Sequence, residues 1–127
     1  MARPEAIVRV DDRVVCERCL VADTPFARMR GLLGRTELPR GEGVFLRPAG
    51  SIHTFFMRFP IDVVFVDGEG IVVGVERELP PWRTARRRGA KAVLELAAGT
   101  AAVQPGEVLS LETKRARSAG TLIQLRG

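Results

Sequence analysis

The stretch Ile61-Asp62-Val63-Val64-Phe65-Val66 constrains this chain more than any other. Successive side chains of a strand point to opposite faces, so Ile61, Val63 and Phe65 share one face, and Asp62, Val64 and Val66 the other. A strand this apolar on both faces belongs inside a sheet that is covered on both sides, and its one carboxylate then needs partners. Asp67-Gly68-Glu69-Gly70 suits a hairpin turn and leads into a second β-branched run at 71–76. With the apolar segment 52–57 ahead of it, an antiparallel meander of strands at 52–57, 61–67 and 71–76 is expected.

Upstream, residues 6–10 and 13–22 alternate apolar and polar positions about Asp11-Asp12 and predict another hairpin. Thr24 then reads as a helix N-cap and Pro25 as the first helical residue, with Phe26, Met29, Leu32 and Leu33 at helical spacing and Gly34 as the closing residue. Short strands are expected at 44–46, 92–96, 108–111 and 121–125, and one or two helical turns at 99–104. Leu79-Pro80-Pro81-Trp82 ends the meander, and the Arg-rich residues to Gly89 read as an exposed loop. No repeat or linker divides residues 1–127, so the expectation is one α+β, mostly β domain: an antiparallel β-barrel or sandwich with one principal helix near the N-terminus.

A hydrophobic fraction of 46% with a net charge of +5 over 127 residues argues against disorder. No apolar run approaches the roughly 18 residues that cross a bilayer, and the first twenty residues lack the apolar core of a signal peptide. The expected location is therefore cytoplasmic. Eighteen of the 20 basic residues are Arg, a skew that fits GC-rich coding as well as selection for guanidinium groups, so the basic balance is not taken as a sign of nucleic-acid binding.

Asp62 is the first polar residue of interest. A desolvated carboxylate calls for backbone donors or a guanidinium, for which Arg28, Arg30, Arg35 and Arg58 are candidates, and a structural network tying the strand to a loop is the plain reading. His53 is the one histidine, in an aromatic segment with Phe55 and Phe56, where it is either a packing residue or a proton carrier. No Ser lies in a nucleophile-elbow pattern. Cys16-Glu17-Arg18-Cys19 is a CxxC, but two Cys and one His fall short of the four ligands of structural zinc, and a strand is expected to send the two thiols to opposite faces. Arg83, Arg86, Arg87 and Arg88 beside Trp82 have the elements of a single-strand nucleic-acid platform, yet with one aromatic residue a solvated loop is the expected reading.

Three separated motifs, TPFARMRGLLGR, PIDVVFVDGEGIVV and VLELAAG, resemble the domain-of-unknown-function 192 family, also called uncharacterised protein family 0127, and together span most of the chain. The resemblance implies a small β-rich fold with a helix near the N-terminal end. It maps the family's motif positions onto Arg28, Gly31, Leu32 and Arg35, then Pro60, Asp62, Phe65 and Asp67, then Leu94, Glu95 and Gly99. Where much of the family carries a Trp-Met-Lys-Asn-Thr-like stretch, this chain has His53-Thr54-Phe55-Phe56-Met57. No activity comes with the resemblance.

The leading expectation is a binding module, more probable than an enzyme, that recognises a small polar ligand or peptide at a cleft around the segment from Ile52 to Asp67. His53, Arg58, Asp62, Trp82, Arg28 and Arg35 are its candidate ligand-binding residues, with no metal or cofactor. Two alternatives stand beside it. One is a hydrolase or transferase using Asp62 and His53 as an acid/base pair, and the other is nucleic-acid binding through the loop Arg83 to Arg88.

Overall fold

A computed structural model describes residues 5–22 and 35–114. Nine strands occur among them: β1 (Glu5–Val10), β2 (Arg13–Ala22), β3 (Glu42–Leu46), β4 (Ser51–His53), β5 (Ile61–Val66), β6 (Val72–Leu79), β7 (Thr84–Arg86), β8 (Ala92–Ala97) and β9 (Ser110–Lys114). Seven form one sheet in the order β6-β5-β8-β3-β2-β1-β9, and β4 pairs with β7 as a separate two-stranded ribbon. Every neighbour pair in the large sheet is antiparallel except β2–β3.

These features correct the expected fold class. Among the described residues the fold is all-β with no helix, and the sheet is not closed into a barrel, since β6 and β9 are its edges. The segment 24–34 expected as a helix, and the strand expected at 121–125, lie outside the described residues. The helical turns expected at 99–104 are absent; Ala97 accepts a turn hydrogen bond from Thr100, and the chain then runs irregularly to Gln104.

The meander's centre follows the parity of its sequence. All six residues of β5 are buried, between β6 on one side and β8 on the other. Ile61, Val63 and Phe65 join Val44, Leu46, Met57, Leu79 and Val93 in one core, whereas Val64 and Val66 join Val8, Phe45, Leu94, Leu96 and Val103 in another. The sheet therefore carries a hydrophobic layer on each face, which explains the near-continuous apolar run. Ile52 of β4 and Ala85 of β7 pack against the core that contains Phe65, so the ribbon lies on that face of the sheet.

Two local departures from regular pairing shape the rest. In β2 the partners of Val8 and Ala6 are Cys16 and Cys19, so the register slips between them and Glu17 and Arg18 are both exposed. This slip corrects the expectation for the CxxC: both thiols enter the same core, where the Cys16 Sγ donates to the Gly41 carbonyl at 3.5 Å and the Cys19 Sγ to the Leu20 carbonyl at 3.7 Å. In the β5–β6 pair, Ile61 faces Leu79 but Val63 faces Glu76, which leaves two residues of β6 opposite Asp62. That is a β-bulge, and it positions the Asp62 carboxylate against backbone.

Candidate functional site

The segment 52–57 is a strand only as far as His53; the chain then turns at Phe55 and Phe56, with Phe56 at a φ of 69°. Opposite it, the stretch expected as loop contains β7, and Trp82 just before that strand has a φ of 66°. A bulky residue in the left-handed region costs about 1–3 kcal/mol, and persists where surrounding contacts over-determine it. Here the contacts converge on Thr54.

Thr54 is fully buried. Its N–H donates to the Arg83 carbonyl at 2.8 Å, and its carbonyl accepts the N–H groups of Trp82 at 2.9 Å and Met57 at 3.2 Å. Its hydroxyl donates to the Pro80 carbonyl at 2.7 Å and accepts the Arg83 N–H at 2.9 Å. One threonine thus clamps both turns and fixes the rings they carry. Its burial continues the parity of the core-facing Ile52, and the alternation fails only after it, where Phe56 is exposed and Met57 buried.

Those rings form a continuous run. His53 stacks on Phe55 with centroids 4.7 Å apart, Phe55 on Trp82 at 5.7 Å, and Phe56 tilts against Trp82 at 4.7 Å. The His53 Nδ1 accepts the Phe55 N–H at 3.2 Å. Trp82 is 55% exposed and Phe56 69%, so two large apolar rings that touch each other face water. Scattered exposed apolar residues need no explanation, but these two rings are contiguous.

The segments that carry these rings are cationic. Arg58, Arg83, Arg86 and Arg88 are exposed, and none has an ion-pair partner among the described residues. Arg87 differs, because it pairs with Glu76 at 3.1 Å and lies over the Phe65 ring. A Cβ at Gly74 would collide with its guanidinium, so the glycine makes room for a structural arginine between two outward ones. Gly50, Ser51, Arg86, Arg87 and Arg88 line a cleft of about 520 Å³ at the far end of the ribbon.

The other residues singled out by sequence have different places. Asp62 is fully buried; its Oδ1 accepts the N–H groups of Glu78 at 2.7 Å and Gly99 at 3.0 Å, and its Oδ2 that of Ala101 at 2.8 Å. Its partners are backbone donors from the bulge and the loop after β8, not a guanidinium. Asp62 shares its face of β5 with Val64 and Val66, whereas the ribbon bearing His53 packs on the opposite face. The structure therefore unites His53 with Trp82 but does not bring Asp62 to them. Arg35 pairs with Glu42 at 3.3 Å, and Arg28 lies outside the described residues.

A match to the family DUF192, described as an uncharacterized ACR, covers residues 6–111. The chain belongs to the DUF192 family. It is 34% identical over 122 residues to a UPF0127 protein of Thermococcus sibiricus (strain DSM 12597 / MM 739), an alignment covering 89% of this chain and 78% of the relative. Among solved structures it resembles a protein of unknown function from Novosphingobium aromaticivorans DSM 12444, with a TM-score of 0.70 and 26% identity over 84% of this chain and 82% of that one. A putative transcription regulator from Sinorhizobium meliloti 1021 shares the fold alone, with a TM-score of 0.74 and 21% identity over 87% of this chain and 94% of that one.

One further titratable group of this DUF192 chain stands out. Glu95 of β8 is 6% exposed, and burial pushes its carboxyl up to about 7. Its strand partners are Val44 and Val63, so it faces the same core as Phe65. An acid inside Val93-Leu94-Glu95-Leu96 was the available sequence signal. Phe55 and Phe56 were legible as aromatic residues, but their contact with Trp82 was not. No group of three or more His, Cys, Asp or Glu able to hold a metal occurs among the described residues, nor does a helix long and apolar enough to cross a membrane.

Proposed function

We propose that this DUF192 protein is a binding module whose ligand contacts the exposed aromatic face made by His53, Phe55, Phe56 and Trp82. One observation carries the reading: two bulky aromatic residues are held at positive φ, in contact and facing water, by the hydrogen bonds of a buried threonine. Packing gives no reason to hold Phe56 and Trp82 that way, because both rings remain more than half exposed. Backbone cost and solvent-facing apolar area are both offset when a ligand covers the rings. The cationic segments that carry the rings supply orientation, as polar groups do in binding sites generally.

The reading rests on residues in contact rather than on a reacting pair. His53 is exposed, and both Asp62 oxygens are already engaged by backbone N–H groups, so an acid/base partnership between the two has no supporting geometry.

Trp82 is the only tryptophan, so its fluorescence reports this face directly. Titrations with maltohexaose, a tyrosine-containing hexapeptide, adenosine monophosphate and an oligothymidylate, followed by Trp82 emission, test the reading. At least one probe is expected to change the emission saturably, and Phe56→Gly should weaken that response without lowering the melting temperature. That variant removes an exposed ring and suits the left-handed backbone. Silence from all four probes would overturn the proposal.

A further inference from the structure

We infer that the outward face of the β4–β7 ribbon binds single-stranded nucleic acid, with bases stacked on the aromatic run and phosphates held by Arg86 and Arg88. This deepens the binding reading above and rests on it. Three observations set the ligand class.

The first is the layout of the ribbon. Ser51 pairs with Arg86, Ile52 with Ala85 and His53 with Thr84. Because Ile52 and Ala85 face the core, Ser51, His53, Thr84 and Arg86 face outward. The aromatic run begins at the His53 end, and the arginine cleft opens at the Ser51 end. Two residues of strand separate them, about 7 Å at the usual rise per residue. A ligand reading both ends needs a flat ring and an anion linked over such a span, which is the repeating chemistry of a nucleotide chain.

The second is charge. Residues 51–61 and 80–91, which build the ribbon and its turns, contain no Asp or Glu. They contribute Arg58, Arg83, Arg86, Arg87, Arg88 and Lys91, and only Arg87 is engaged in an ion pair among the described residues. A neutral glycan or an acidic peptide lacks one half of the match: the first has no anion for the guanidinium groups, and the second no regular array of rings.

The third is the number of rings. Trp82 beside four arginines would not distinguish a platform from a solvated loop, but the fold adds Phe55, Phe56 and His53 to it. Aromatic side chains beside a positively charged groove are the elements with which sequence-tolerant single-strand binders work.

The experiment uses the full chain, fifteen-nucleotide oligothymidylate, the matching duplex, thymidine monophosphate and inorganic phosphate, read by Trp82 quenching and by anisotropy of a labelled strand. The single strand is expected to quench Trp82 and to bind more tightly than the duplex or the mononucleotide. Its log affinity should fall linearly with log salt, and Arg86→Ala and Arg88→Ala should each reduce the slope by roughly 0.7, the value for one single-strand phosphate contact. Phe56→Gly should weaken binding about tenfold, the scale of one lost stacking partner. Equal binding of duplex, saturation by the mononucleotide at the strand's affinity, or no response to Phe56→Gly would overturn the inference. If maltohexaose or the hexapeptide quenches Trp82 while no nucleotide does, this inference fails and the binding reading stands; if nothing quenches it, both fail.

Discussion

The Asp62 carboxylate accepts the Glu78 N–H at 2.7 Å, across the point where β6 places two residues opposite one of β5. Glu78 has a φ of 54°, and the same carboxylate takes the N–H groups of Gly99 and Ala101, while the Arg77 guanidinium donates to the carbonyls of Ala101 and Val103. A buried acid and a neighbouring arginine thus hold one loop by its donors and its acceptors.

Removing that acid leaves three N–H groups facing a carboxylate-sized gap. Each unsatisfied buried donor costs about 1–3 kcal/mol, so Asp62→Ala should destabilise the protein by at least about 3 kcal/mol. Asp62→Asn keeps one acceptor oxygen and should fall between. Urea unfolding midpoints measure both, and a loss below about 1 kcal/mol for Ala would show that the knot is not structural.

Glu95 predicts the pH dependence. Burial raises its folded-state pKa to about 7 from the ordinary 4.5, so the folded protein holds a proton that the unfolded chain releases between those values. The group's contribution is complete below about pH 4.5 and is lost as pH rises through 7, amounting to about 3 kcal/mol. Glu95→Gln abolishes the titration. It should be more stable than the parent at pH 8, with the advantage shrinking toward pH 5; parallel stability curves for the two proteins would refute this.

Thr54 tests the platform independently of any ligand. Thr54→Val keeps the shape but deletes the donor to Pro80 and the acceptor for Arg83, at a cost of about 1–3 kcal/mol. The near-ultraviolet circular dichroism of Trp82 should weaken in Val and survive in Thr54→Ser. An unchanged Trp82 signal in the Val variant would mean that other contacts fix the ring.

The thiols of Cys16 and Cys19 are both fully buried and free. The neighbouring Cys16 thiol and, after it, burial push the Cys19 thiol up, and the same pairing draws Cys16 down. A thiol reacts as its thiolate and needs access. Ellman's reagent should therefore modify the native protein slowly and release two equivalents at once on denaturation, whereas rapid reaction of either thiol before unfolding would place it outside the core.

Strand parity made β5 legible from sequence, because six residues of which five are apolar, spread over both faces, are stable only inside a sheet covered twice, and the β1–β2 and β5–β6 hairpins followed from turn residues at Asp11-Asp12 and Asp67-Gly70. The same periodicity misplaced Cys16 and Cys19, and stopped short of Asp62's partners, because a bulge shifts register without leaving a mark in composition. The aromatic face lay further out of reach. Phe55 and Trp82 are 27 positions apart, and only the pairing of β4 with β7 and the hydrogen bonds of Thr54 bring their rings together. Local sequence determined which segments extend and which faces they bury; long-range pairing decided which side chains meet, since that depends on register between strands distant in the chain.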